Sequence, residues 1–263
     1  MSDAPGDASS AVSQPKSHSE TLVYHQGGAM GSVAAHLRLW ILVVLGLVAD
    51  LWSKNWAFAE LKPNGDPYHF IPGLLDFQLS LNSGALFGMG SGLVWLFISA
   101  SIGALIFVLY LFASSHPKQR VVHIALGLIL AGALGNLYDR VAHQYDMVTV
   151  KATDSHPQYS VLGAQVPGGK NDEGLVRIRP WSATGGDLAY AESQLLGEVK
   201  RVGVVRDFLK ITPQVWGNDI WRWVFNVADV FLVVGVSMLL LSFWFQHPIP
   251  GSESDHAASA TGG

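Results

Sequence analysis

The chain has 263 residues, a net charge of −4, 14% charged residues and a mean hydropathy of +0.30, averages that hide a sharp division between long apolar runs and polar stretches. It contains no cysteine, which excludes disulfides, thiol nucleophiles and Cys-ligated metals, and its ten histidines show no tight ligand spacing. No metal, no cofactor and no nucleic-acid partner is expected.

Residues 1–35 are polar, rich in Ser, Ala and Gly, include acidic residues and lack a basic start, so they read as a disordered cytoplasmic tail rather than a signal peptide. The first apolar run, residues 37–58, is interrupted by Asp50 and Lys54, an acid-to-base pair at i, i+4 that can neutralise both partners. The next connection holds the turn Pro63-Asn64-Gly65-Asp66-Pro67, then the alternating stretch Leu75 to Leu81, expected as a strand or hairpin at the interface. Asn82 and Gly84 follow it, a pair that also suits a simple turn. The second run, residues 92–112, carries no charge. The third, residues 121–138, contains His123 and Asn136 and ends in Asp139-Arg140. Its Gly127, Ala131 and Gly135 form a small-residue stripe that lets another helix approach closely. Residues 141–200 read as an inserted element, with a strand expected at Asp146 to Lys151 and weak helical periodicity over Asp187 to Lys200. A short β-like stretch, Gly203 to Leu209, contains Asp207. The fourth run, residues 225–245, opens with Phe225-Asn226-Val227-Ala228-Asp229, and Asp229 is its only charge. Residues 246–263 read as a second disordered cytoplasmic tail.

Each run is near the roughly 20 residues that a helix needs to cross the hydrocarbon core. The expected fold class is a membrane protein, mainly α: four transmembrane helices, an extracytoplasmic β-rich cradle, and an extracytoplasmic insertion between helices three and four. Residues 36–245 form the membrane domain. A soluble bundle fits poorly, because a charge-free run of that length does not suit a half-exposed helix. Arg38, Lys118 and Arg120 flank the spans on one side, which places both tails in the cytoplasm by the positive-inside rule. Trp52, Trp56, Trp221 and Trp223 suit interfacial anchoring.

With that alternation, Asp50, Lys54, Asn82, Gly84, Asn136, Asp139, Arg140, Asn226 and Asp229 all fall at the outer side of the membrane. Asn136 and Arg140 share a helix face, as do Asn226 and Asp229. A carboxylate inside a span costs a few kcal/mol or more unless it faces a cavity or partner, so Asp229 reads as functional. Asp207 is the second candidate. Two carboxylates held close cannot both ionise cheaply, and the pair supplies a general base for water and a general acid for a leaving amine. Asp139, beside Arg140, is expected to be structural, because an acid held ionised makes a poor acid catalyst.

Five segments in order resemble the lipoprotein signal peptidases (signal peptidase II), bacterial intramembrane aspartic peptidases. They are Asp50-Leu51-Trp52-Ser53-Lys54, Asn82-Ser83-Gly84-Ala85-Leu86-Phe87, Gly132 to Arg140, Gly203 to Phe208, and Phe225 to Asp229. The resemblance implies Asp207 and Asp229 as the catalytic pair. Asn82, Gly84, Asn136, Arg140 and Asn226 would shape the substrate pocket, with Asp50 and Lys54 supporting it. It also implies the reaction, removal of the signal peptide from a diacylglyceryl-modified prolipoprotein on the amino side of the lipidated cysteine, by a monomer in contact with membrane lipids. The chain departs from the family in having Leu51 where Gln is common, and in the long segment between Arg140 and Gly203. A proton-coupled transporter using Asp229, or a silent lipopeptide-binding protein, are the alternatives.

Overall fold

Each apolar run becomes one helix. In the computed structural model, which describes residues 28–63, 65–84, 94–170, 175–182 and 186–246, these are α1 (Val33–Glu60), α2 (Val94–Ser114), α3 (Arg120–Ala142) and α4 (Val227–Gln246). α1, α3 and α4 are long and apolar enough to cross a membrane, while the apolar segment Ile98–Ser114 of α2 is shorter. α1, α2 and α4 turn Val44, Leu45, Val48, Ile106, Phe107, Val233 and Leu240 outward, an apolar surface suited to lipid rather than water. This is a membrane protein.

α3 runs between α1 and α4, and small residues set how near it comes to each. A Cβ on Gly127 would meet the main chain of Leu39, and one on Gly135 would meet the Asp50 carboxylate. Between them, Ala131 sits against Gly46 of α1. The expected small-residue stripe is therefore the α1 contact. On the opposite flank Gly132 lies against the Ala228 carbonyl of α4, and Gly235 of α4 lies against the Ala125 carbonyl. Leu39, Val43, Val108, Phe112, Leu126 and Leu130 fill the space between α1, α2 and α3.

The polar tail ends earlier than residue 35. Ala29 is buried and donates its main-chain N–H to Ser115 O at 3.0 Å, and Ser32 caps α1 by accepting from Ala35 N. The capping hydroxyl extends the helix beyond the apolar run. The remainder of both tails, residues 1–27 and 247–263, lies outside the described residues.

Two antiparallel sheets cover the Asp139 end of the bundle. The first joins β1 (Tyr68–Ile71), β2 (Leu75–Asn82), β8 (Val205–Ile211) and β11 (Val224–Phe225) in the order β1-β2-β8-β11. Phe77 and Phe208 pack with Ala57 near the end of α1. The second comprises β3 (Gln144–Val150), β4 (Tyr159–Lys170), β5 (Leu175–Pro180), β6 (Leu188–Ala191) and β7 (Lys200–Gly203), ordered β6-β5-β4-β3-β7. It buries its own core of Val148, Val150, Val176, Ile178 and Leu195. A small hairpin, β9 (Gln214–Val215) with β10 (Asn218–Asp219), precedes β11.

The expected strand at Asp146 to Lys151 is β3. The helix suggested for Asp187 to Lys200 does not form. Leu188 and Tyr190 pair with Ile178 and Val176 on β5, a single 3-10 turn spans Glu192–Gln194, and Gly197 breaks the chain at φ 87°. Ladder pairing on an existing strand overrides so weak a periodicity.

The insertion leaves and returns at one point. Gln144 opposes Gly203 across β3 and β7, and Val204 N donates to His143 O at 3.0 Å. A Cβ on Gly203 would strike the Arg140 main chain, so glycine permits β7 to close against the end of α3. The long segment between Arg140 and Gly203 thus positions β8 as a short link would.

Candidate active site

Lys54 is fully buried in α1, and its ammonium has three acceptors. It donates to Asp50 Oδ2 at 2.8 Å and Asn136 Oδ1 at 3.1 Å, and pairs with Asp139 Oδ2 at 3.3 Å. A buried cation is tolerable only with such partners. The other oxygen of Asp50 accepts from Ala228 N at 2.9 Å, satisfying one of the orphan N–H groups in the first turn of α4. α1 thereby fixes both α3 and the start of α4.

Asn226 and Asp229 cap that start reciprocally. Asn226 Oδ1 accepts from Asp229 N at 3.0 Å, and Asp229 Oδ2 accepts from Asn226 N at 3.2 Å. Asp229 Oδ1 accepts from Asn136 Nδ2 at 2.8 Å. Asn226 Nδ2 in turn donates to Asn136 Oδ1 at 3.1 Å and to Asp207 Oδ1 at 2.6 Å. The two side-chain amides therefore bridge the two carboxylates in the order Asp207, Asn226, Asn136, Asp229.

Asp207 reaches this network from β8. It stands opposite Ser80 in the register with β2, while Asn82, two residues along on the same strand face, also hydrogen-bonds its carboxyl. Asn82 makes the turn as well, its Oδ1 accepting from Gly84 N at 2.9 Å, and Gly84 takes φ 78°, a conformation that favours glycine. Burial, and after it the charge of Asp229, pushes the Asp207 carboxyl up to about 7, against the opposing pull of Asn226, Asn82 and Lys54. Arg140 lines the same cleft and adds a positive charge that acts on both Asp207 and Asp229.

One residue of the site was not singled out from sequence. Arg206 is 5% exposed and clamps Asp139 through its main-chain N–H at 3.0 Å, Nε at 3.1 Å and Nη2 at 2.8 Å. Its Nη1 also donates to Asn55 Oδ1 at 2.7 Å, and its guanidinium lies 5.8 Å from the centre of the Phe58 ring. Asp139 is thus held by Arg206 from β8 as well as by Lys54 from α1. A charged residue inside the apolar stretch Val204 to Phe208 was the available signal.

Asp207 opens on a cleft of about 550 Å³ bordered also by Asn82, Gly84, Arg140 and Trp223 and, from the insertion, by Tyr159. No cluster able to hold a metal occurs among the described residues. The arrangement offers a carboxyl that keeps its proton to an unusually high pH, a second carboxyl group supplied with hydrogen-bond donors, and a cleft beside them.

The family model described as Signal peptidase (SPase) II matches residues 41–245. A lipoprotein signal peptidase of Deinococcus radiodurans is 36% identical over 61% of this chain and 81% of its own. One of Rhodopirellula baltica is 27% identical over 81% of this chain and 74% of its own. A solved bacterial membrane enzyme aligns with a TM-score of 0.48 and 21% identity over 78% of this chain and 87% of that one.

Proposed function

The chain belongs to the signal peptidase II family of membrane aspartic peptidases, which remove signal peptides from prolipoproteins, and we propose that Asp207 and Asp229 are its catalytic pair. The observation that carries this reading is the Asn226–Asn136 bridge, which links the two carboxyl groups beside an open cleft. Asp229, whose oxygens accept from Asn136 and Asn226, is the base that takes a proton from water. The water oxygen attacks the scissile carbonyl carbon. Asp207 holds the proton and delivers it to the amide nitrogen as the C–N bond breaks. Arg140 steadies the single negative charge that the two carboxyl groups share.

The substrate is proposed to be a diacylglyceryl-modified prolipoprotein, cut on the amino side of its lipidated cysteine. Its acyl chains keep it in the bilayer, which explains a site at the end of a helix bundle. We further propose that all four helices span the membrane of the bacterial cell, with Arg38, Lys118 and Arg120 cytoplasmic and the site near the outer face, in a monomer surrounded by lipid. Residues 36–245 then constitute the peptidase domain, with 141–200 as its extracytoplasmic insertion.

Asp207→Asn and Asp229→Asn test the assignment with a lipidated proprotein as substrate. Each is expected to lower turnover by about 10²–10⁴-fold in a protein that still inserts and folds. Near wild-type turnover in either variant refutes the pair.

A further inference from the structure

The insertion contributes a wall to the active-site cleft, and that wall continues beyond it. Ser80 and Leu81 of β2 and Ser160 and Leu162 of β4 border the cleft over Asp207. The same four residues border a second hollow, of about 700 Å³, that runs on to Trp181 and Leu188. The two hollows therefore form one groove, with Asp207 at one end and the insertion along its length.

Strand pairing shows what this groove presents. β2 pairs with β8 out to Asn82 but with β1 only over Leu75 to Phe77, so the far half of its β1 side carries no ladder among the described residues. β4 pairs with β3 from Tyr159 to Gly163, whereas its pairing with β5 begins only at Gly163. Over Tyr159 to Leu162 that second edge has one main-chain bond among the described residues, from Trp181 N to Leu162 O at 3.1 Å. Two strand edges with main-chain groups to offer thus border one groove. An extended peptide supplies the complementary N–H and C=O groups. Trp181 stacks on Phe58 with ring centres 6.2 Å apart, which fixes the far end of the groove against α1.

We propose that this groove binds the first residues of the mature polypeptide, on the carboxyl side of the scissile bond, as an added strand between β2 and β4. This rests on the peptidase reading above. The occupant follows from chemistry: a signal peptide is held in the bilayer by its apolar stretch, whereas the chain after the lipidated cysteine is polar and leaves the membrane on the side where the insertion stands. The groove offers hydroxyls and main-chain groups, which read an extended backbone with little regard to side chains. The insertion is then a substrate-binding element that favours substrates with a following polypeptide over truncated ones.

The test compares two lipidated substrates, one ending at the residue after the cysteine and one continuing for a full segment. Wild-type enzyme is expected to prefer the longer by kcat/KM, the difference lying in KM. Ser160→Trp, which blocks the groove, and Leu188→Asp at its exposed far end should each reduce the long-to-short ratio of kcat/KM about tenfold. A benzophenone side chain placed three residues after the cleaved bond should cross-link to residues 158–162. A ratio unchanged in both variants, no length preference in the wild type, or cross-links confined to other segments would overturn the proposal. Failure of wild-type enzyme to cleave either substrate would instead reject the peptidase reading on which it rests.

Discussion

Val204 donates its main-chain N–H to the carbonyl oxygen of His143 at 3.0 Å, and the β3–β7 ladder continues from that bond, so the insertion leaves and rejoins its host at one place. A folded excursion closed in this way adds little strain to its host, because its own core offsets the entropy of ordering it. Excising residues 146–198 and bridging the gap with a short Gly-Ser linker should leave a folded protein that retains cleavage of a short lipidated peptide. The measurement is product release in detergent, after confirming membrane insertion. Complete loss in a properly inserted variant would mean that the insertion completes the site itself.

Arg206 and Asp139 form the clamp that carries β8, and with it Asp207, onto the end of α3. Removing one partner strands a buried charge, so Arg206→Ala should lower stability by about 3–5 kcal/mol, read as a fall in the unfolding midpoint in detergent. Activity should fall with it as Asp207 loses its position. Arg206→Lys should rescue only in part, since an ammonium cannot reproduce the two side-chain bonds to Asp139 together with the bond to Asn55.

How far the sequence foretold this site differs by residue. The helices were legible because run length and charge-free composition are local properties, and the faces at Gly127, Ala131 and Gly135 or Asn226 and Asp229 follow from helical spacing. Alternating direction put Asn136 and Asp229 on one side of the membrane, while Asp207 entered as a second carboxylate in a β-like stretch and was paired with Asp229 by the family resemblance. The Asp139–Arg206 clamp was not legible, because its partners lie 67 positions apart on elements of different type. Asp139 has a nearer arginine in sequence, and nothing in a linear pattern favours the distant one. The same limit explains Leu188 to Ala191, where the decisive partner is β5, and the closure of β3 on β7, which depends on tertiary contact.

The Asp207 carboxyl, raised to about 7 by burial and the facing charge, gives pH dependence a definite sign. Its folded-state value lies above the ordinary 3.8, so the folded protein holds this proton more tightly than the unfolded chain. The corresponding stabilisation is full below the ordinary value and is lost as pH rises through about 7. If Asp207 supplies the proton to the leaving nitrogen, kcat/KM should decline over the same upper range. Asp207→Asn, which cannot ionise, should lower turnover by about 10²–10⁴-fold yet unfold at a higher temperature than wild type at pH 8, with the difference shrinking at pH 4. Equal midpoints for the two proteins at both pH values would contradict the raised affinity.

Gly135 gives the sharpest test of the support beneath the carboxylates. A Cβ there would collide with Asp50, whose two oxygens hold Lys54 and the Ala228 N–H at the start of α4. Asp50 cannot yield without releasing one of these, so the cost of Gly135→Ala combines overpacking with a disturbed charge network, about 1–3 kcal/mol. Gly103 in α2 is the matched control, since a Cβ there meets nothing within 4 Å. Gly103→Ala should be neutral or slightly stabilising, because alanine is the better helix former by about 1 kcal/mol. Measured side by side in detergent, Gly135→Ala should unfold earlier and process lipidated substrate more slowly than Gly103→Ala. Indistinguishable behaviour would show that Asp50 does not set the position of Asn226 and Asp229.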